Sequence, residues 1–310
     1  MTQPATLQQC IARFRMIDSP AKLLKTALAA AATGAVICGL GAVAGWCPRS
    51  AIWPVATVCG VLAAVIRGVG MSLASMVDNR SHTLRDRVEG LRRDIGDIHG
   101  LVRLQPYTAE LPLPMGGGWA LTGDAAALLV REVLLQRPRA VLELGSGVST
   151  LLIGQALQRQ GGEGRLLSID HDPVWAERTR RQVALLGLER QVTVVCAPLA
   201  PIDLQGTRRL WYDIPASALD TLGAIDLLLV DGPPQPPEDR EPARWPAVPA
   251  LESRLSASVV VVVDDARRPE EREMVRRWRS AAPDWQVEDM QTVDGLCILR
   301  RRPSGEAAAT

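Results

Sequence analysis

"VLELGSGVST", residues 141–150, is the stretch on which the reading of this chain turns. An apolar run carrying one acid, Glu143, ends at Gly145 and Gly147, and after Ser149 and Thr150 comes the helical-looking "LLIGQALQRQ". Glycines at such a junction let backbone approach a ligand closely, and the start of the following helix offers free N–H groups. A turn of this kind between strand and helix usually holds a nucleotide-like ligand, and taken alone it would suit a dinucleotide. Two details speak against that. Glu143 would repel a pyrophosphate, and the third glycine of the dinucleotide fingerprint is absent, since Val148, Ser149 and Thr150 follow Gly147.

Outward from the turn, the chain from Pro106 onward alternates strand-like and helix-like segments. "AVLELG", "RLLSID", "VTVVCA", "IDLLLVDG" and "SVVVVVDD" are short runs rich in Val, Leu and Ile. Runs without polar alternation, spaced widely enough for a helix between them, suit parallel strands buried on both faces. The class is a doubly wound α/β domain. A charged helix, "RPEEREMVRRWRSA", then leads to "WQVEDMQTV" and "LCILRRR", with Asp294-Gly295 between them as a two-residue hairpin turn.

"ELGSG", "SID", "VDG" and "VDD" ending successive runs, with the final hairpin, resemble the class I S-adenosylmethionine-dependent methyltransferases over roughly residues 119 to 302. "VLELGSGVSTL", "IDHDPVWAERT", "LLLVDGPP" and "VVVVDDARRPEER" look like a bacterial branch that acts on small molecules or glycans. The resemblance implies a seven-stranded, mostly parallel sheet with a C-terminal antiparallel hairpin. It also implies S-adenosylmethionine as cofactor, with contacts at Glu143, Gly145, Ser146, Gly147, Ser149, Thr150, Asp170, His171, Ala197 and Asp231. In that family the acid at the position of Glu143 meets the methionine part of the cofactor. Asp170, at the end of the second run, suits the ribose hydroxyls. Asp172 reads as the cap of a helix starting near Pro173. Adenine would lie by residues 197–199, where this chain lacks the family's frequent acid.

Methyl transfer needs alignment of a nucleophile and, for a hydroxyl acceptor, management of its proton. His171 is the only histidine beyond the N-terminal region and lies on the ribose side. Carboxylates are left for the proton, with Asp231 and Asp264 as candidate catalytic residues. Asp231, Asp264 and Asp265 stand at the carboxyl ends of central strands, and converging oxygens suit Mg²⁺. The resemblance to catechol-type O-methyltransferases implies the same, although the third ligand, commonly Asn there, is Asp here. "MGGGWALTGD" (115–124, with Trp119) and "GPPQPPEDREPARWP" (232–246) are candidate lids, and "LWYD" (210–213) is a further wall or an edge strand. Within the second lid, Arg240, Arg244 and Trp245 are candidate substrate contacts, although Arg240 and Arg244 read first as solvated arginines and Trp245 as a packing residue.

The rest of the chain is of another kind. With 47% hydrophobic residues and a mean hydropathy of +0.07, the protein carries apolar sequence beyond an ordinary core. "ALAAAATGAVICGLGAVAGW" (27–46) has no charge and the length to cross a hydrocarbon core of about 30 Å. A second apolar stretch, 51–77, is broken only by Arg67. The pair reads as a transmembrane hairpin over 26–77, with Gly41 and Gly45 as a close-packing pair. A signal peptide ending near "AVAG" and a pair of buried soluble helices are the alternatives. Arg13, Arg15, Lys22 and Lys25 before it and Arg80, Arg85, Arg87, Arg92 and Arg93 after it place both ends in the cytoplasm, at the inner membrane. Residues 1–25 would then be a cytoplasmic segment. Leu84, Val88, Leu91, Ile95, Ile98 and Val102 follow at heptad spacing, so 78–105 is a stalk. It is either a coiled coil that makes a homodimer or one amphipathic helix. The catalytic domain is 106–303 and the tail 304–310.

A net charge of +1 gives no basic footprint for nucleic acid, and Asp231-Gly232-Pro233-Pro234-Gln235 lacks the aromatic on which a flipped base would stack. The six scattered cysteines form neither a disulfide framework nor a zinc site. The expected acceptor is a small molecule, a glycan or a lipid-linked compound. A catalytically inactive membrane-tethered scaffold and an NAD-type oxidoreductase are the rival classes.

Overall fold

The computed structural model describes residues 20–46, 48–108, 121–237, 239, 241–282 and 284–301. The first lid is outside them except for residues 121–124, as are Arg240, residues 1–19 and the tail. The chain divides into two compact units at Gly90/Leu91.

In the first unit, α1 (Pro20–Val43) and a 3-10 turn (Arg49–Ala51) lead into α2 (Ile52–Thr108). Small residues let the two helices approach. A Cβ on Gly34 would lie 3.2 Å from Ala56 Cα, and one on Gly60 would lie 2.8 Å from the Ala27 carbonyl oxygen. The glycine pair expected at this contact is not the one used, because Gly45 follows the end of α1, with φ of 75°, and faces open space. Leu40, Val58, Leu62 and Ile66 are exposed on these helices. Both α1 and α2 are long and apolar enough to cross a membrane by length and composition.

α2 continues without a break past residue 78 and through Pro106, so the stalk is not a separate element. In the second unit its heptad stripe stays outside, with Leu91, Ile95, Ile98 and Val102 52–62% exposed. The face that packs is set by Gly100 and Leu104. Any Cβ on Gly100 would strike the backbone of Gly123 and Asp124, and Leu104 joins the core. α3 (Gly123–Gln136) begins at this contact. Thr122 makes no side-chain cap there, and Asp97 of α2 supplies one, accepting from Gly123 N (2.5 Å) and Asp124 N (3.4 Å).

The central sheet contains β1 (Ala140–Leu144), β2 (Arg165–Asp170), β3 (Val192–Cys196), β6 (Ile225–Val230), β7 (Leu255–Asp264), β8 (Trp285–Met290) and β9 (Leu296–Arg301). Its order is β3-β2-β1-β6-β7-β9-β8, and β9 runs against its neighbours. This is the mostly parallel, seven-stranded sheet with a C-terminal antiparallel hairpin that the resemblance implied. Helices α4 (Val148–Arg159), α5 (Pro173–Leu185), α6 (Ala216–Leu222), α7 (Ala247–Leu251) and α8 (Pro269–Ala281) complete the domain. Successive strand residues serve opposite faces, as the pleat requires. Val141, Leu227 and Leu229 join the core layer of α3 and α4, while Leu142, Leu228 and Val230 join the layer of Met274 and Trp278.

One local reading is refined and one changes. "LWYD" belongs to a separate hairpin, β4 (Leu199–Leu204) and β5 (Thr207–Tyr212), turned at Gln205 and Gly206 with φ of 54° and 76°. Asp294-Gly295 does not make a two-residue turn: the connection spans 291–295. Its carbonyls are spent elsewhere, Asp294 O accepting from Arg267 N (3.1 Å) and Gly295 O from Ala266 N (3.0 Å).

Asp97→Ala removes the cap of α3, which is worth about 1 kcal/mol. The thermal midpoint of the full-length protein is expected to fall accordingly, and an unchanged midpoint would show that Asp97 does not carry the cap.

Candidate active site

The sheet order reverses between β1 and β6, and ligands in open α/β sheets collect beyond the carboxyl ends of the strands at that crevice. Gly145, with φ of 99°, lies against the end of β6, where a Cβ would come within 3.1 Å of the Asp231 carbonyl carbon. Gly147 faces open space. Beneath the turn, Gly147 N donates to Thr150 Oγ1 (2.9 Å), which donates to Glu143 Oε2 (2.5 Å), and Ser168 Oγ donates to the same oxygen (2.6 Å). Glu143 Oε1 is buried with no partner among the described residues. Burial pushes this carboxyl up to about 7, against the lowering effect of the Ser149, Ser168 and Thr150 hydroxyls.

Asp170 secures the turn from the next strand. Its Oδ2 accepts from Ser146 N (3.0 Å) and Ser146 Oγ (2.7 Å), and its Oδ1 accepts from Asp172 N (2.9 Å). Asp172 caps α5 as expected, accepting from Val174 N (2.7 Å) and Trp175 N (3.3 Å). His171 is partly exposed, its Nδ1 3.5 Å from Asp170 Oδ1. Trp175, Arg178, Thr179 and Gln182 of α5 form one wall of the cleft, with the Arg178 guanidinium 5.0 Å from the Trp175 ring centre.

The opposite wall is acidic. Asp231, Asp264 and Asp265 bring one oxygen each within 4.8 Å of the others. Asp265 holds a left-handed backbone, with φ of 61°, which Asp tolerates better than most residues. Burial, then Asp264, pushes Asp231 well above the usual carboxylate range, and burial, then Asp265, pushes Asp264 up to about 7.

Arg244 stands among these acids and is 3% exposed, so the expectation of a solvated arginine fails. Its guanidinium lies 3.1 Å from Asp265, 3.7 Å from Asp231 and 3.6 Å from Glu271. It also donates to the Pro233 and Asp264 carbonyls, each at 3.3 Å. Trp245 does pack, its carbonyl accepting from Trp278 Nε1 (2.9 Å). The cleft between the walls has a volume of about 930 Å³.

Residues 142–266 match a family model described as "Methyltransferase domain". The match covers the glycine turn, Asp170 and the three strand-end aspartates. Similar solved structures include the O-methyltransferase TomG from Streptomyces achromogenes in complex with SAM, 20% identical over 65% of this chain and 89% of that one, with a TM-score of 0.45. An O-methyltransferase from Bacillus cereus in complex with SAH is 15% identical over 66% and 91%, with a TM-score of 0.45. A methyltransferase from Geobacter sulfurreducens is 16% identical over 65% and 87%, with a TM-score of 0.44. No curated protein matches the chain.

Within the matched segment, Gly145, Ser146, Gly147, Asp170, His171, Asp231, Asp264 and Asp265 line one cleft. Glu143, Ser149, Thr150 and Ala197 do not line it. The first three lie buried below the turn, and Ala197 is fully buried, its N–H donating to the Asp170 carbonyl (2.7 Å). The cleft suits S-adenosylmethionine: it is large enough for a nucleoside with an amino-acid tail, Gly147 opens into space, and Glu143 keeps an unsatisfied buried acceptor. Mg²⁺ fits less well. Asp231, Asp264 and Asp265 converge as oxygen donors, but Asp265 Oδ2 is held by Arg244 and by Arg268 (2.8 Å), and Arg244 also faces Asp231. The cation at this cluster is built into the chain. Arg244, on a candidate lid, and Tyr212, in the candidate wall "LWYD", both line the cleft, whereas Trp175 is a cleft residue without a signal in the sequence, because it reaches the site from a helix whose position only the fold defines.

Arg244→Met leaves buried carboxyls unpaired, a defect of roughly 3–5 kcal/mol. Glu143 and Asp264 move from 4.5 and 3.8 up to about 7 on folding, so the folded state holds protons that the unfolded chain has released. Stability therefore falls as pH rises through this interval. Thermal unfolding of full-length protein should show that fall, and the Arg244→Met deficit should narrow toward its acidic end, where the carboxyls are neutral.

Proposed function

We propose that the protein is a membrane-anchored methyltransferase that uses S-adenosylmethionine to methylate a hydroxyl of a small-molecule, glycan or lipid-linked acceptor. The observation that carries the reading is the joining, at one topological crevice, of the Gly145–Gly147 turn, Asp170 and the carboxyl pair Asp231 and Asp264. Bound S-adenosylmethionine supplies an electrophilic methyl group on a sulfonium. The turn orients it through backbone, Asp170 faces its ribose hydroxyls, and Glu143 offers a buried acceptor for its ammonium. Asp231 and Asp264 receive the acceptor's proton. Asp264, pushed by burial up to about 7, suits that task, since a base works best with a pKa near the working pH. Arg244 supplies the positive charge on the acceptor side that a divalent ion would otherwise provide.

α1 and the first part of α2 anchor the chain in the inner membrane, with the catalytic domain in the cytoplasm. Their exposed apolar surface and the arginines flanking the apolar stretches support this.

Calorimetry with S-adenosylhomocysteine and NAD tests the cofactor. S-adenosylhomocysteine should bind, and Asp170→Ala should weaken it by about 1.5–3 kcal/mol. Binding of NAD in its place would overturn the reading in favour of an oxidoreductase. Titration with Mg²⁺ should give no saturable heat, whereas saturable binding abolished by Asp231→Asn would restore the metal. Full-length protein should remain with membranes through high-salt and carbonate washes, and release by salt alone would remove the anchor.

A further inference from the structure

The hairpin β4–β5 is an addition to the seven-stranded sheet, and its last residue, Tyr212, lines the cleft. The phenol is 5% exposed and held by two edge-on ring contacts, with Trp211 at 5.1 Å and His171 at 6.4 Å between centroids. Its oxygen lies against Gly232, where any Cβ would strike it, and Gly232 in turn lies against Gly145. Tyr212 Oη is buried and has no hydrogen-bond partner among the described residues. Burial, then the nearby Asp170, holds its pKa far above the ordinary phenol value, so the group stays a neutral donor. A buried donor left unmade is costly, and the groups that would ordinarily answer it are engaged elsewhere. Asp170 is held by Ser146 and Asp172, and Asp231 faces Arg244.

Two unsatisfied buried groups of opposite character therefore belong to the seam between β1 and β6: a donor, Tyr212 Oη, and an acceptor, Glu143 Oε1. A zwitterionic α-amino-acid head, with one carboxylate and one ammonium, satisfies both. We propose that Tyr212 is a binding residue for the amino-acid end of the cofactor, its hydroxyl donating to the α-carboxylate while Glu143 takes the ammonium. The inference rests on the cofactor reading above and adds to it a residue contributed by the extra hairpin.

5′-Methylthioadenosine keeps the adenosine and thioether of S-adenosylhomocysteine and lacks its amino-acid head, so the two ligands isolate this contact. Calorimetry on the full-length protein should find Tyr212→Phe weaker for S-adenosylhomocysteine by roughly tenfold, the worth of a hydrogen bond to a charged group. Affinity for 5′-methylthioadenosine should be unchanged, which also reports a folded cleft. Unchanged affinity for S-adenosylhomocysteine, or a parallel loss for both ligands, overturns the role of Tyr212 and leaves the cofactor reading standing. Wild-type protein that binds neither ligand overturns the cofactor reading, and this inference with it.

Discussion

The close approach of two strand ends, Gly145 after β1 and Asp231–Gly232 after β6, is the constraint on which the rest of the site depends. A Cβ on Gly145 would come within 3.1 Å of the Asp231 carbonyl carbon. Because the backbones meet here, the turn can present its face to the cleft while Glu143 and Thr150 brace it from below. The same approach sets Asp231 beside Asp264 and Asp265 on the neighbouring strand end and leaves just enough room at Gly232 for the Tyr212 hydroxyl. Larger side chains at either glycine would separate the strands or expel the phenol.

Charge balance is the second constraint. Asp231, Asp264 and Asp265 crowd one wall, with Glu271 also facing Arg244, and water is largely excluded from them. A surplus of buried carboxylates is tolerated when cations or protons compensate it. Arg244 and Arg268 supply the cations, and burial raises the Asp231 and Asp264 carboxyls, which favours their protonated forms. An acidic cluster in sequence looks like a metal site because the sequence does not show a guanidinium delivered from a distant loop. The proline-rich stretch 232–246 brings Arg244 into the cluster, so its length serves electrostatics as well as any covering role.

The N-terminal unit obeys a different economy. Gly34 and Gly60 allow α1 and α2 to touch, and the large apolar side chains are turned outward. In water this arrangement would be costly, since apolar area stays exposed, whereas in hydrocarbon helix contact comes from small residues and the large ones face lipid. Further along α2 the packing face changes to Asp97, Gly100 and Leu104, which meet α3.

Much of the architecture was determined by sequence alone. Continuous Val, Leu and Ile runs demand burial on both faces, which only a parallel sheet between helix layers provides, and Gly145, Gly147, Asp170 and Asp231 announce their places because each sits at a strand end. The cap at Asp172 was equally legible, since capping is a contact between near neighbours. Tertiary structure alone decided what depends on distant segments. The heptad stripe on α2 suggested a seam, yet glycine at 100 directs a different face toward α3. Asp294-Gly295 carries the local chemistry of a tight turn, and bonds to the segment after β7 override it. Arg244 and Tyr212 look like ordinary loop and edge-strand residues until the fold buries them beside acids and glycines far away in the chain. Local propensity records the preferences of neighbours in sequence, and the charge and hydrogen-bond balance of this cleft is settled between residues that only folding brings together.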